Sequence, residues 1–60
     1  MKTAQETKSD FLATLWELLN THPNEKLKEY LKVRLQVLGD ILGDDFPEEY
    51  QEQYEKVLTI

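Results

Sequence analysis

The broadest apolar pattern in the chain lies in residues 24–42, NEKLKEYLKVRLQVLGDIL. At about 100° per residue, Leu27, Leu31, Leu35, Leu38 and Leu42 fall on one flank of a helix, and Tyr30, Val33, Val37 and Ile41 on the other. The flanks merge into an apolar arc of roughly 200°, twice the stripe of an ordinary surface helix. Lys28, Glu29, Lys32, Gln36 and Asp40 leave only a narrow polar side. Such a helix needs cover from two directions. Within the first flank, Leu31, Leu35, Leu38 and Leu42 alternate by four and three, the spacing of helices packed at shallow angles. About two heptads are too few for a free-standing coiled coil, so the spacing predicts a bundle core. Arg34 lies inside the arc, between Leu27 and Ile41. An unpaired guanidinium is too costly to bury, so Arg34 is expected to reach water or a carboxylate, at the rim of the core or across an oligomer interface.

Two shorter patterns flank this one. Upstream, Phe11, Leu15 and Leu18 form the middle of a helical face over residues 10–21, Leu12, Trp16 and Leu19 widen one side, and Thr14, Glu17 and Thr21 are expected to face away. Residues 1–8 lack an apolar period and read as a flexible tail, although Thr3-Ala-Gln-Glu6 fits a capping box and Thr7 or Ser9 offers a later start. His22-Pro23 stops the first helix, because the residue before proline is pushed out of helical geometry, and Pro23 or Asn24 opens the next. The connection is short, so helices 10–21 and 24–42 should form an antiparallel hairpin. Gly39 and Gly43 both sit in Leu-Gly-Asp triplets, and the apolar Ile41 and Leu42 favour Gly43 as the end of the second helix. Asp45-Phe-Pro-Glu48 then reads as a capping box for a third helix over residues 46–58, striped by Phe46, Tyr50, Tyr54, Val57 and Leu58. No β-branched alternation predicts a strand. The fold expected is all-α: a helical hairpin plus a third short helix, with residues 9–60 as one domain.

Composition adds a reason for association. A chain of 60 residues buries only about 60% of its unfolded surface. It has no cysteine, so neither a disulfide nor a Cys/His zinc site can staple it. Pairing with a copy of itself or with another protein is the remaining route, and the wide arc of residues 24–42 points the same way. A dimeric bundle is expected, with Leu27, Leu31, Arg34, Leu35, Leu38 and Leu42 as its seam. The net charge of −5 argues against nucleic acid and against an anionic membrane surface, and favours a protein partner with a basic surface. No apolar run reaches the roughly 18 residues of a membrane span, and MKTAQETKSD lacks the apolar stretch of a signal peptide. A cysteine-free chain suits the cytoplasm, which is the compartment expected.

The residue types that carry chemistry are sparse. His22 is the single histidine and ends a helix before proline, where it reads as a packing or capping residue rather than a base or ligand. The carboxylates fall on helical faces that read as solvated. Asp40-Ile-Leu-Gly-Asp-Asp lacks the alternate acids of a calcium loop, leaving at most a weak cation site at Asp40, Asp44, Asp45 and Glu48. The two glycines are not followed by lysine, so no phosphate loop exists, and a third helix rich in glutamate does not suit DNA reading. No enzyme, cofactor or metal is expected. Trp16 reads as a core residue sealing the hairpin or as an interface anchor, and Tyr50 and Tyr54 as core residues with hydroxyls at the rim or as part of a docking face; with Asp44, Asp45, Glu48 and Glu52 they are the candidates for docking a partner, because tryptophan and tyrosine carry interface energy disproportionately. The function expected is a non-enzymatic regulator or adaptor. The alternative is an acidic DNA mimic, suggested by Asp40, Asp44, Asp45, Glu48, Glu49, Glu52 and Glu55, seven of the twelve acids.

Overall fold

The computed structural model describes residues 3–59. Among them every regular element is helical: α1 (Ala4–Asn20), α2 (Glu25–Leu42) and α3 (Gln51–Leu58), with single 3-10 turns at Gly43–Asp45 and Glu48–Tyr50. The all-α class and the three-helix order agree with the sequence.

α1 starts earlier than its apolar period suggests. The Thr3 hydroxyl accepts the Glu6 N–H at 3.2 Å, so the first of the three start signals is the one used. Met1 and Lys2 lie outside the described residues; from Ala4 onward the expected tail is helix. Its inner face is Thr7, Phe11, Thr14, Leu15 and Leu18. Thr14 was expected to face away and instead is buried. Each buried threonine satisfies its hydroxyl inside the helix, Thr7 donating to the Thr3 carbonyl at 3.1 Å and Thr14 to the Asp10 carbonyl at 2.8 Å. With the polar atom satisfied locally, the remaining methyl packs as an apolar group.

α2 is capped by Asn24, whose side chain accepts the Leu27 N–H at 2.9 Å, and it ends at Gly43, the one residue with positive φ (+53°) among those described. The antiparallel hairpin of α1 and α2 forms as the short connection requires. Downstream the expected capping box at Asp45 is absent: no side chain caps either 3-10 turn or α3. Phe46 and Pro47 are non-helical at ψ 130° and 97°, since a residue before proline avoids helix and Phe46 is drawn inward. α3 therefore starts at Gln51, later than the expected residue 46.

Leu31, Leu35, Leu38 and Leu42 close on Phe11, Leu15 and Leu18, with Val57 sealing the core from α3. Phe11, Phe46 and Tyr54 form an aromatic triangle with centroids 5.1–5.6 Å apart and edge-to-face or tilted rings. Gly39 makes room for it. A Cβ there would stand 3.3 Å from the Tyr54 hydroxyl oxygen and 3.4 Å from the Phe46 ring. Gly39, inside α2, is thus a place of close approach. Tyr50 shares a cleft with Leu12 and Trp16, and Lys56 and Val57 share one with Leu18, Leu19 and Pro23, so α3 runs alongside α1 in the same sense. The molecule measures 30 × 24 × 16 Å. α2 is covered on one flank only, with Leu31, Leu35, Leu38 and Leu42 buried and Tyr30, Val33, Val37 and Ile41 exposed.

Candidate interaction surfaces

The two flanks of α2 have opposite fates. Leu31, Leu35, Leu38 and Leu42 are buried in the chain's own core. The seam expected to hold an assembly is thus occupied within a single chain. Leu27, at its upper end, is exposed on the rim. Tyr30, Val33, Val37 and Ile41 make the other flank, from 50% exposed at Val37 to 65% at Ile41. Arg34 is half-buried between the flanks, in a shallow cleft between α1 and α2 that Asp10, Trp16 and Glu17 also line. The acidic Asp10 and Glu17 thus share a cleft with Arg34.

Trp16 is 62% exposed and borders two clefts, the one holding Arg34 and one on the α3 side lined by Leu12, Leu19 and Tyr50. It does not seal the hairpin. Tyr50 lies beside it, but Tyr54 parts company with both, half-buried in the aromatic triangle. Burial pushes the Tyr54 phenol upward from its ordinary pKa, and the nearby Asp40 carboxylate adds to the shift by opposing a second negative charge. Tyr54 is core, with its hydroxyl at the Gly39 rim.

Asp40, Asp44, Asp45, Glu48, Glu49, Glu52 and Glu55 are all exposed. They do not converge: among the described residues no three His, Asp or Glu side chains are grouped to hold a metal, so the weak cation site at Asp40–Glu48 has no structural basis. Lys28 pairs with Glu25 in its own helix at 3.9 Å and shares a cleft with Lys56 and Val57, because α3 leans on α1 and turns its acids outward. Glu55 instead accepts a hydrogen bond from Gln51 at 3.0 Å. His22 is exposed on the inter-helix bend. Among the described residues no helix is long and apolar enough to cross a membrane, and no buried side-chain polar atom lacks a partner.

Sequence reasoning named Trp16 and Tyr50, but did not separate the covered flank of α2 from the open one. The signal was faint: the open flank is β-branched and carries a tyrosine, whereas the covered one is leucine throughout. Comparison with protein-family models, with curated proteins and with solved structures finds no match.

Proposed function

We propose that this chain is a small, non-enzymatic protein–protein interaction module, a homodimeric regulator or adaptor of the cytoplasm that docks on a partner with a basic surface. The observation that carries the reading is the exposed Trp16, standing beside Tyr50 over an apolar cleft, with the exposed acids Glu48, Glu49 and Glu52 on the segment that bears Tyr50. A large aromatic left in water at the side of an apolar cleft loses free energy that a partner's apolar side chain would recover. The neighbouring carboxylates would steer a basic partner toward it.

Trp16 is the single tryptophan, so its fluorescence reports on the surroundings of this residue without a second emitter. Titration with a basic amphipathic helical peptide should shift its emission to the blue, and Trp16→Ala should abolish binding while leaving helical circular dichroism unchanged. If the basic peptide and an acidic counterpart both leave the emission unmoved, the reading fails. The exposure of all seven acids between Asp40 and Glu55 supports one second reading, a DNA mimic that occupies a nucleic-acid-binding protein. Salt separates the two: apolar docking should survive a rise from about 50 to about 300 mM, whereas binding through carboxylates alone should collapse as the Debye length shortens.

A further inference from the structure

We infer that the open flank of α2 receives a second copy of this chain in antiparallel orientation. The inference rests on the homodimeric reading above, and adds the face and the polarity. Tyr30, Val33, Val37 and Ile41 succeed one another along a single helix face of about 16 Å, all of them half exposed or more. A specific interface clears a minimum of about 500 Å² from each partner. That is roughly a ninth of the 4541 Å² this chain exposes, within reach of this flank and the residues at its two ends.

Charge selects both the occupant and its direction. Residues 25–34 carry four bases (Lys26, Lys28, Lys32, Arg34) against two acids (Glu25, Glu29). Residues 35–45 carry three acids (Asp40, Asp44, Asp45) and no base. Lys28 and Lys32 lie on the polar side of α2; Lys26, four residues before Tyr30, and Asp44, three after Ile41, mark a basic and an acidic end of the open flank, and its electrostatic complement is the same band reversed. A two-fold axis at the level of Leu35 sets Val33 of one copy against Val37 of the other, and Ile41 against Tyr30 and Leu27. It also brings Lys26 to the Asp40 and Asp44 end twice over. Arg34, at the edge, then faces its own counterpart, with Asp10 and Glu17 lining the cleft beside each. Parallel pairing would instead stack Lys26 on Lys26 and Asp40 on Asp40.

The chain has no cysteine, so engineered thiols report without background. An equimolar mixture of Val33→Cys and Val37→Cys, both at exposed positions, is oxidised and the linked species are resolved by mass. The 33–37 linkage should exceed the 33–33 and 37–37 linkages together by at least about fivefold. Like-with-like linkages at or above that level would overturn the antiparallel geometry while leaving the homodimer intact. A folded protein that forms no linkage and sediments as a 7.1 kDa monomer would remove both. An independent check needs no thiol. Lys26→Glu and Asp44→Lys should each weaken the dimer by about fivefold, the effect expected of an exposed ion pair lost on both sides of the axis. The double variant should restore it, and absence of that rescue would refute the pairing.

Discussion

One hydrogen atom at the Cα of Gly39 decides how closely α3 and the Phe46 loop approach α2. Alanine there gains helix propensity of up to about 1 kcal/mol and needs only a few tenths of an ångström from Tyr54, so the two effects should nearly cancel. Leucine has nowhere to go. Gly39→Leu should cost about 1–3 kcal/mol and flatten the near-ultraviolet signal of the aromatic triangle, as measured by urea unfolding and circular dichroism. Tyr54, in contact with the same site, carries a pH prediction. Its folded pKa is raised above the ordinary tyrosine value of 10.0, so the contribution is fully present below that pH and is lost as pH rises through the folded value. Stability followed by thermal melts should fall through the alkaline range, and Tyr54→Phe should remove that part of the fall.

At the scale of elements, the two long helices are started by short side chains and the third by none. Asn24 accepts the Leu27 N–H at the point where the chain reverses. Asn24→Ala should destabilise the protein by about 1 kcal/mol, and Asn24→Asp, which keeps the acceptor, by much less; chemical denaturation midpoints would show both. α3 depends on tertiary contact instead. Its eight residues are too few to hold a helix alone in water, and Val57 with Tyr54 supplies the anchoring. The capping box expected at Asp45 is lost because Phe46 is drawn to Phe11, 5.1 Å between centroids. Packing on the core outweighs a local hydrogen bond of about 1 kcal/mol.

For the molecule as a whole, the other helices cover one flank of α2 and leave the other open. Two substitutions within one turn of α2 should therefore behave differently. Leu35→Asp buries an uncompensated carboxylate in a domain whose entire stability is roughly 3–9 kcal/mol, and should abolish helical circular dichroism. Val37→Asp should retain the full helical signal and change only the sedimentation behaviour. A Val37→Asp protein that unfolds would mean that the flank is required for the fold itself.

The helical class, the hairpin turn at His22-Pro23, the stop at Gly43 and the leucines of the core were legible in the chain, because they depend on periodicity and on residues whose backbone preferences are intrinsic. The exposure of Trp16 and the burial of Thr7, Thr14 and Tyr54 were not. Each depends on which side of a helix a distant segment happens to cover, and α3 could have leaned on either long helix. A wheel can show that α2 has more apolar circumference than one neighbour covers. Only the folded chain decides that leucine is consumed within and that tyrosine, valine and isoleucine are left outside, since burial belongs to the three-dimensional arrangement and not to any stretch of sequence taken alone.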